Sequence, residues 1–365
     1  MKATQKLHDV GQSLWVDNIT RDMLREGTLK GYIEELSVTG LTSNPTIFDK
    51  AIAAGSAYDE QVAELGDSVD NGGAGANAEE NIFFELALAD LRDATDLFAD
   101  VHARTGGVDG FVSLEVSPLL ADDPKATIEQ AAKLHAKGER SNLYIKIPGT
   151  TAGLEAIEES IFAGIPINVT LLFDDKQYLA AADAYMKGIE RRIEAGLDPV
   201  VQSVASIFMS RWDVAVAEEV PAELKNELGI AIGGRAYHAY RELLDSDRWM
   251  RLANDGARAQ RLLWASTGTK DPDASDTLYI EAFASPFTVN TMPDKTLEAF
   301  ADHGELGQLM DPAGAAAEVQ LGQFEEAGID LAALAQRLQD EGKESFNKSW
   351  EELLKTIGSK RGVTA

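Results

Sequence analysis

The stretch NLYIKIP (Asn142–Pro148) sets one cation, Lys146, among leucine, tyrosine and isoleucine. A run this short and this apolar, closed by Pro148 and Gly149, reads as a strand buried on both faces of a parallel sheet. Runs of the same kind lie on either side. Upstream are Ser13–Asp17 (SLWVD), Ser37–Ser43 (SVTGLTS) and Gly110–Val116 (GFVSLEV). Downstream are Ile165–Phe173 (IPINVTLLF), Val200–Phe208 (VVQSVASIF), Leu262–Thr267 (LLWAST) and Thr277–Phe283 (TLYIEAF). Segments with helical spacing separate them: Thr20–Leu36, Ala78–Ala103, Lys125–Lys137, Thr151–Phe162, Asp174–Ala195, and Ser210–Asp247, the last broken near Pro221 and at Gly233–Gly234. Lys295–Asp302 and a helical region from Gly314 to about Ile357 complete the chain. Strand–helix alternation implies a parallel sheet, and eight units favour closure. The expected fold is therefore α/β, a (β/α)8 TIM barrel with additional helices. Its 365 residues suit one barrel domain over 1–365, with a loop insertion near 64–78 and a C-terminal helical extension from about 312.

The formal net charge is −28. Such a field repels nucleic acid and anionic membrane, and an anionic substrate then needs a local pocket of cations. There are no cysteines, so disulfides, thiolate catalysis and Cys-ligated metals are excluded. Met1–Trp15 has no apolar stretch behind a basic start, and no apolar run is long enough to span a bilayer. A cytoplasmic protein without membrane or nucleic-acid partners is the expectation. Asp67–Ala78 (DSVDNGGAGANA) reads as a loop before a helix. Within it, Gly73–Ala78 matches the dinucleotide pattern G-x-G-x-x-G/A, but acidic polar residues stand where that pattern requires a strand.

The informative residues are polar groups inside or ending apolar strands, because a buried polar group needs a partner or a place at the barrel mouth. Lys146 alone could be a lysine snorkelling from a strand end to water. Its functional reading is an amine nucleophile toward a carbonyl, a role that burial promotes in lysines. The other strands favour the second reading. Strand one ends in Asp17, strand two in Thr42-Ser43-Asn44, strand three carries Glu115, strand five Asn168 and Thr170, and strand six Ser206 with Arg211 beyond. Strand seven ends in Ser266, with Lys270 shortly after. Asp17 and Ser206 could be helix caps and Asn44 a turn residue. In parallel strands, however, all these groups gather at one mouth, as a sugar site requires. Glu115, inside its strand, needs a cation, and Lys146 one strand along is the natural partner. A lysine with carboxylates in a dry cavity suits Schiff-base chemistry.

These segments resemble the transaldolase family over nearly the whole chain. The matching stretches are LTSNPTIF (Leu41–Phe48), VSLEV (Val112–Val116), IKIP (Ile145–Pro148), INVTLLF (Ile167–Phe173) and SIFMSR (Ser206–Arg211). LWASTGTK (Leu263–Lys270) is similar to the longer bacterial branch, type 2 transaldolase. The resemblance implies an enzyme of the pentose phosphate pathway without a cofactor or metal. It would move a dihydroxyacetone unit from sedoheptulose 7-phosphate or fructose 6-phosphate to glyceraldehyde 3-phosphate or erythrose 4-phosphate. It further implies Lys146 as the Schiff-base lysine and Asp17 as the acid/base, with Glu115 and Thr170 holding the water of imine formation. Asn44, Asn168 and Ser206, with Thr42 beside them, would bind the donor's hydroxyls, and Arg211 and Ser266 its phosphate. Where relatives carry a second arginine this chain has Gly268, and Lys270 is expected to replace it.

Three alternatives remain open at this level. An aldolase on the same scaffold would release dihydroxyacetone instead of transferring it. A metal enzyme would need clustered ligands, whereas His8, His102, His135, His238 and His303 are scattered. A non-catalytic acidic barrel would have no use for Lys146, Asp17 and Glu115 together. Monomer and homodimer fit the sequence equally.

Overall fold

The computed structural model describes residues 1–71 and 78–363. Eight parallel strands close into a barrel in sequence order: β1 (Ser13–Asp17), β2 (Val38–Thr42), β3 (Val112–Glu115), β4 (Leu143–Pro148), β5 (Ile167–Leu172), β6 (Ser203–Phe208), β7 (Arg261–Ala265) and β8 (Val289–Met292). This is the (β/α)8 TIM barrel that the alternation predicts.

Strand periodicity sends alternate residues to opposite faces. On β1 the inward set is Ser13, Trp15 and Asp17. Trp15 meets Tyr144 of β4 across the barrel, and Ser13 accepts from Arg261 of β7. Asp109 closes this lower end, taking bonds from Ser13 and from Trp15 Nε1. Polar inward residues therefore sit at the two ends of the barrel, while outward residues such as Val16, Ile145 and Val169 are buried under helices.

Several helix boundaries follow from local chemistry. Thr20 caps Arg21–Arg25 by accepting from Met23 N, and Asn44 caps Pro45–Ala53 by accepting from Ile47 N. The Thr20–Leu36 segment divides at Gly27, whose φ of 84° ends one helix before Thr28–Glu35 begins. The break near Pro221 stands, between helices Ser210–Val216 and Leu228–Leu244.

Three expectations are corrected. Thr277–Phe283 is not strand eight: Leu278–Ala282 is a helix, and β8 is Val289–Met292. A short apolar run does not distinguish strand from helix by periodicity, and Tyr279, Ile280 and Phe283 bury one face of a helical turn instead. Gly233–Gly234 does not break its helix, which runs on to Leu244. A Cβ at Gly233 would lie 2.3 Å from the Phe283 ring, so these glycines permit close packing. Of the expected loop at Asp67–Ala78, both ends are helical: helix Asp59–Asn71 continues the spacing set by Val62 and Leu65, and the next helix, Ala78–Leu97, begins at Ala78. Gly73 to Asn77, the body of the dinucleotide-like pattern, lies outside the described residues.

The C-terminal region forms helices Ala315–Glu326 and Leu331–Val363. The second packs along helix Pro45–Ala53 and against β5. Among the described residues no helix is long and apolar enough to cross a membrane.

Candidate active site

The register of the sheet builds the site. Glu115 on β3 pairs with Lys146 on β4, and Lys146 with Asn168 on β5; Pro148 pairs with Thr170, and Asp17 on β1 with Thr42 on β2. All these side chains point inward at the C-terminal end of the barrel.

Lys146 is buried, at 5% exposure, which rules out snorkelling. Its Nζ donates to Glu115 Oε2 at 3.1 Å and to the carbonyl of Ser43 at 3.2 Å. Glu115 is equally buried, and its second oxygen, Oε1, has no protein partner. Thr170 Oγ1 is likewise buried and unpartnered. Burial raises the Glu115 carboxyl above its ordinary range; Lys146 opposes the shift and the Asp17 charge adds to it. Burial also raises Asp17, while Lys146, the Thr42 hydrogen bond (2.6 Å) and Lys270 pull it part of the way back. Asp17 is thus bonded within the site and is not a helix cap.

A cavity of about 290 Å³ opens above Lys146. It is lined by Asp17, Thr42, Asn44, Thr170 and Ser206 and by Arg211, Ser266, Gly268 and Lys270. Asn44 uses Oδ1 to cap its helix and still faces the cavity. Ser206 donates to Asn168 Oδ1 at 2.7 Å, so it too is no cap. Two expected residues stand behind the wall. Glu115 reaches the site through Lys146, and Asn168 spends its amide on Ser113 and Ser206.

Ser266 adopts φ 54°, a left-handed turn that ends β7, and its hydroxyl meets that of Ser210 at 2.9 Å. Arg211 lies over the Phe208 ring at 5.2 Å. Among the described residues neither Arg211, Lys270 nor Lys50 has a carboxylate within ion-pair distance, and all three face the cavity. A cluster of free cations at a barrel mouth is suited to a phosphate.

Further lining residues were not expected, among them four that differ in how they escaped notice. Thr291, whose hydroxyl lies 2.6 Å from that of Thr42, was hidden by the misplacement of strand eight. Lys50 stands on the helix that follows Asn44, where helical spacing from Thr46 could have found it. Ser345 and Phe346 come from the C-terminal helix, and nothing in the sequence marks them. Among the described residues no group of three or more His, Asp or Glu is placed to hold a metal ion.

A barrel with a buried lysine–carboxylate pair beneath a cationic rim defines a class: enzymes that act on the carbonyl of a phosphorylated small molecule. Comparison with known proteins narrows it. The transaldolase/fructose-6-phosphate aldolase family profile matches residues 14–357. The transaldolase of Mycolicibacterium smegmatis is 44% identical over 95% of this chain and 94% of its own length. That of Thermobifida fusca is 44% identical over 97% and 96%, and that of Thiobacillus denitrificans 42% identical over 98% and 100%. The chain belongs to the transaldolase/fructose-6-phosphate aldolase family.

Proposed function

We propose that this chain is a transaldolase of the pentose phosphate pathway and that Lys146 carries the transferred three-carbon unit. The observation behind the reading is the buried Lys146–Glu115 pair at 3.1 Å, opening onto a cavity rimmed by Arg211 and Lys270.

The lysine adds to the keto carbon of a ketose phosphate, and Glu115 takes the proton the amine gives up. Glu115 returns that proton to the carbinolamine hydroxyl, which leaves as water to give an iminium. Glu115 Oε1 and Thr170 Oγ1, both buried without a protein partner, are the groups suited to hold that water. Cleavage breaks the bond between the third and fourth carbons. The proton of the C4 hydroxyl passes to Asp17, C4 becomes the aldehyde of the departing aldose phosphate, and the bonding pair moves into the iminium to give an enamine. The enamine carbon attacks the acceptor's aldehyde, Asp17 returns its proton to the new hydroxyl, and water releases the product from Lys146. Thr42, Asn44, Ser206 and, through Ser206, Asn168 orient the hydroxyls; Arg211, Ser266, Gly268 and Lys270 hold the phosphate.

The relatives named transaldolase, alike over nearly their full length, favour transfer over release. Every residue invoked comes from one chain within one barrel domain, so monomer and homodimer would serve alike. A cytoplasmic location completes the reading. The test is a transfer assay with fructose 6-phosphate and erythrose 4-phosphate. Sedoheptulose 7-phosphate is the expected product, and free dihydroxyacetone in its place would make the enzyme an aldolase.

A further inference from the structure

The C-terminal helix Leu331–Val363 does more than line the cavity with Ser345 and Phe346. Gln339, Gly342 and Phe346, spaced by three and four, form one face of it that meets the barrel mouth. Gly342 leaves room there: a Cβ would lie 2.9 Å from Leu171 Cδ2 and 3.3 Å from Arg211 Nη1.

Gln339 is buried, and its single amide nitrogen donates twice, to the carbonyl of Leu171 at 2.9 Å and to that of Gly149 at 3.2 Å. These carbonyls lie at the C-terminal ends of the two strands that carry the imine chemistry, Gly149 just beyond β4 and Leu171 within the last residues of β5. Gly149 comes three residues after Lys146, and Leu171 directly follows Thr170. Between them, Gly149 N donates to Thr170 O at 2.7 Å. Leu171 itself has φ 58° with a fully buried side chain. Leucine takes that left-handed conformation only where its surroundings over-determine it. The pairing of β5 with β6 slips at this point, between Val169 and Leu172. The sheet therefore does not hold the turn on that side, and the helix amide does so from above. Thr170, one bond away, ends with its hydroxyl buried and unpartnered, as does Glu115 Oε1.

We propose that Gln339 is a positioning residue for imine formation: its amide ties the ends of β4 and β5 together, holds Leu171 left-handed, and so fixes where the Thr170 hydroxyl stands relative to Lys146. This rests on Lys146 being the imine-forming residue. Without the tie the turn relaxes toward negative φ and the hydroxyl leaves its place, while the phosphate-binding residues that follow β6 and β7 are undisturbed.

Gln339→Met keeps the length and volume of the side chain and removes the donor. The measurement is the single-turnover rate at which fructose 6-phosphate forms a borohydride-trapped adduct on Lys146, together with steady-state KM and kcat. The variant should form adduct on the order of 10- to 100-fold more slowly, the usual effect of displacing a catalytic group by about 1 Å. Its kcat should fall in step while KM stays within about twofold, because the substrate's binding groups are untouched. A role confined to stability would lower the melting midpoint and leave both rates per folded molecule unchanged, and that result overturns the proposal. So does a rise in KM at unchanged kcat. If the methionine variant does not fold, Gln339→Asn, which draws the amide back by one methylene, is expected to give the same split and is judged by the same outcomes. Absence of adduct in the wild-type protein would instead remove the imine reading itself.

Discussion

Lys146 and Glu115 meet because β3 and β4 pair in register, and Asp17 comes near them because β1 ends in an inward residue. The buried Asp17 carboxyl sits above its ordinary range, and it must be ionised to take the proton of the substrate's hydroxyl. Activity is therefore lost as pH falls through this raised value. The Thr42 hydrogen bond is one of the influences that hold the value down. Thr42→Val should accordingly move the acid limb of the kcat/KM profile to higher pH; an unmoved limb would show that another group sets it. Asp17→Ala should slow turnover by about 10²–10⁴-fold, the usual share of a general acid/base, and stopped assays of aldose release will measure it. Arg211 lines the cavity, and among the described residues it has no hydrogen bond to Lys146 or Glu115. Arg211→Ala should raise KM for phosphorylated ketoses far more than for free dihydroxyacetone as a donor. Equal effects on both would argue against its role as a phosphate ligand.

At the scale of elements, Asp213 joins three pieces of the scaffold. It lies on helix Ser210–Val216 and accepts from Leu228 N and Gly229 N at the start of the next helix, and from the hydroxyl of Tyr279 in Leu278–Ala282. Burial pushes its carboxyl up to about 6. Because the folded value lies above the unfolded one, the fold favours the protonated form. The associated stability is fully present below about pH 4 and is lost as pH rises through about 6, on the order of 2–3 kcal/mol for this group. Urea midpoints of wild type and Asp213→Asn, compared between pH 5 and 7, should show a smaller decline in the variant. Parallel declines would mean that Asp213 does not titrate in that range. The same region shows what the sequence conceals. Seven of the strands are legible as short apolar runs, because burial on both faces leaves a compositional trace. The eighth, VNTM (Val289–Met292), carries Thr291 for the mouth and Asn290, which accepts from the Thr267 hydroxyl, and so lacks that trace, while the apolar TLYIEAF nearby is a helix with one buried face. The residues that end strands at the mouth were readable because polar groups stand out in apolar runs. Phe346, an ordinary apolar residue on a distant helix, could not be placed there without the tertiary packing.

Across the whole molecule, charge is arranged by sign and place. The net charge is −28, and many of the cations away from the mouth are matched: Arg21 with Asp90, Arg140 with Asp96, Arg191 with Glu158 and Glu159, and Arg248 with Asp183 and Glu190. Among the described residues Arg211, Lys270 and Lys50 have no such partner, and they face one cavity. An anionic substrate is thus repelled by the surface at large and held at one rim, where low dielectric strengthens each contact. The barrel brings the lysine, its carboxylate and that rim together, and the C-terminal helix closes the wall. The claim on which the account depends is that Lys146 forms a covalent imine. The direct test is borohydride reduction in the presence of fructose 6-phosphate, followed by peptide mass spectrometry of wild type and Lys146→Ala. The account predicts a reduced three-carbon adduct on the peptide containing Lys146, and in the variant a folded protein with neither adduct nor turnover. An adduct on a different lysine, or near-normal turnover by the alanine variant, would contradict it.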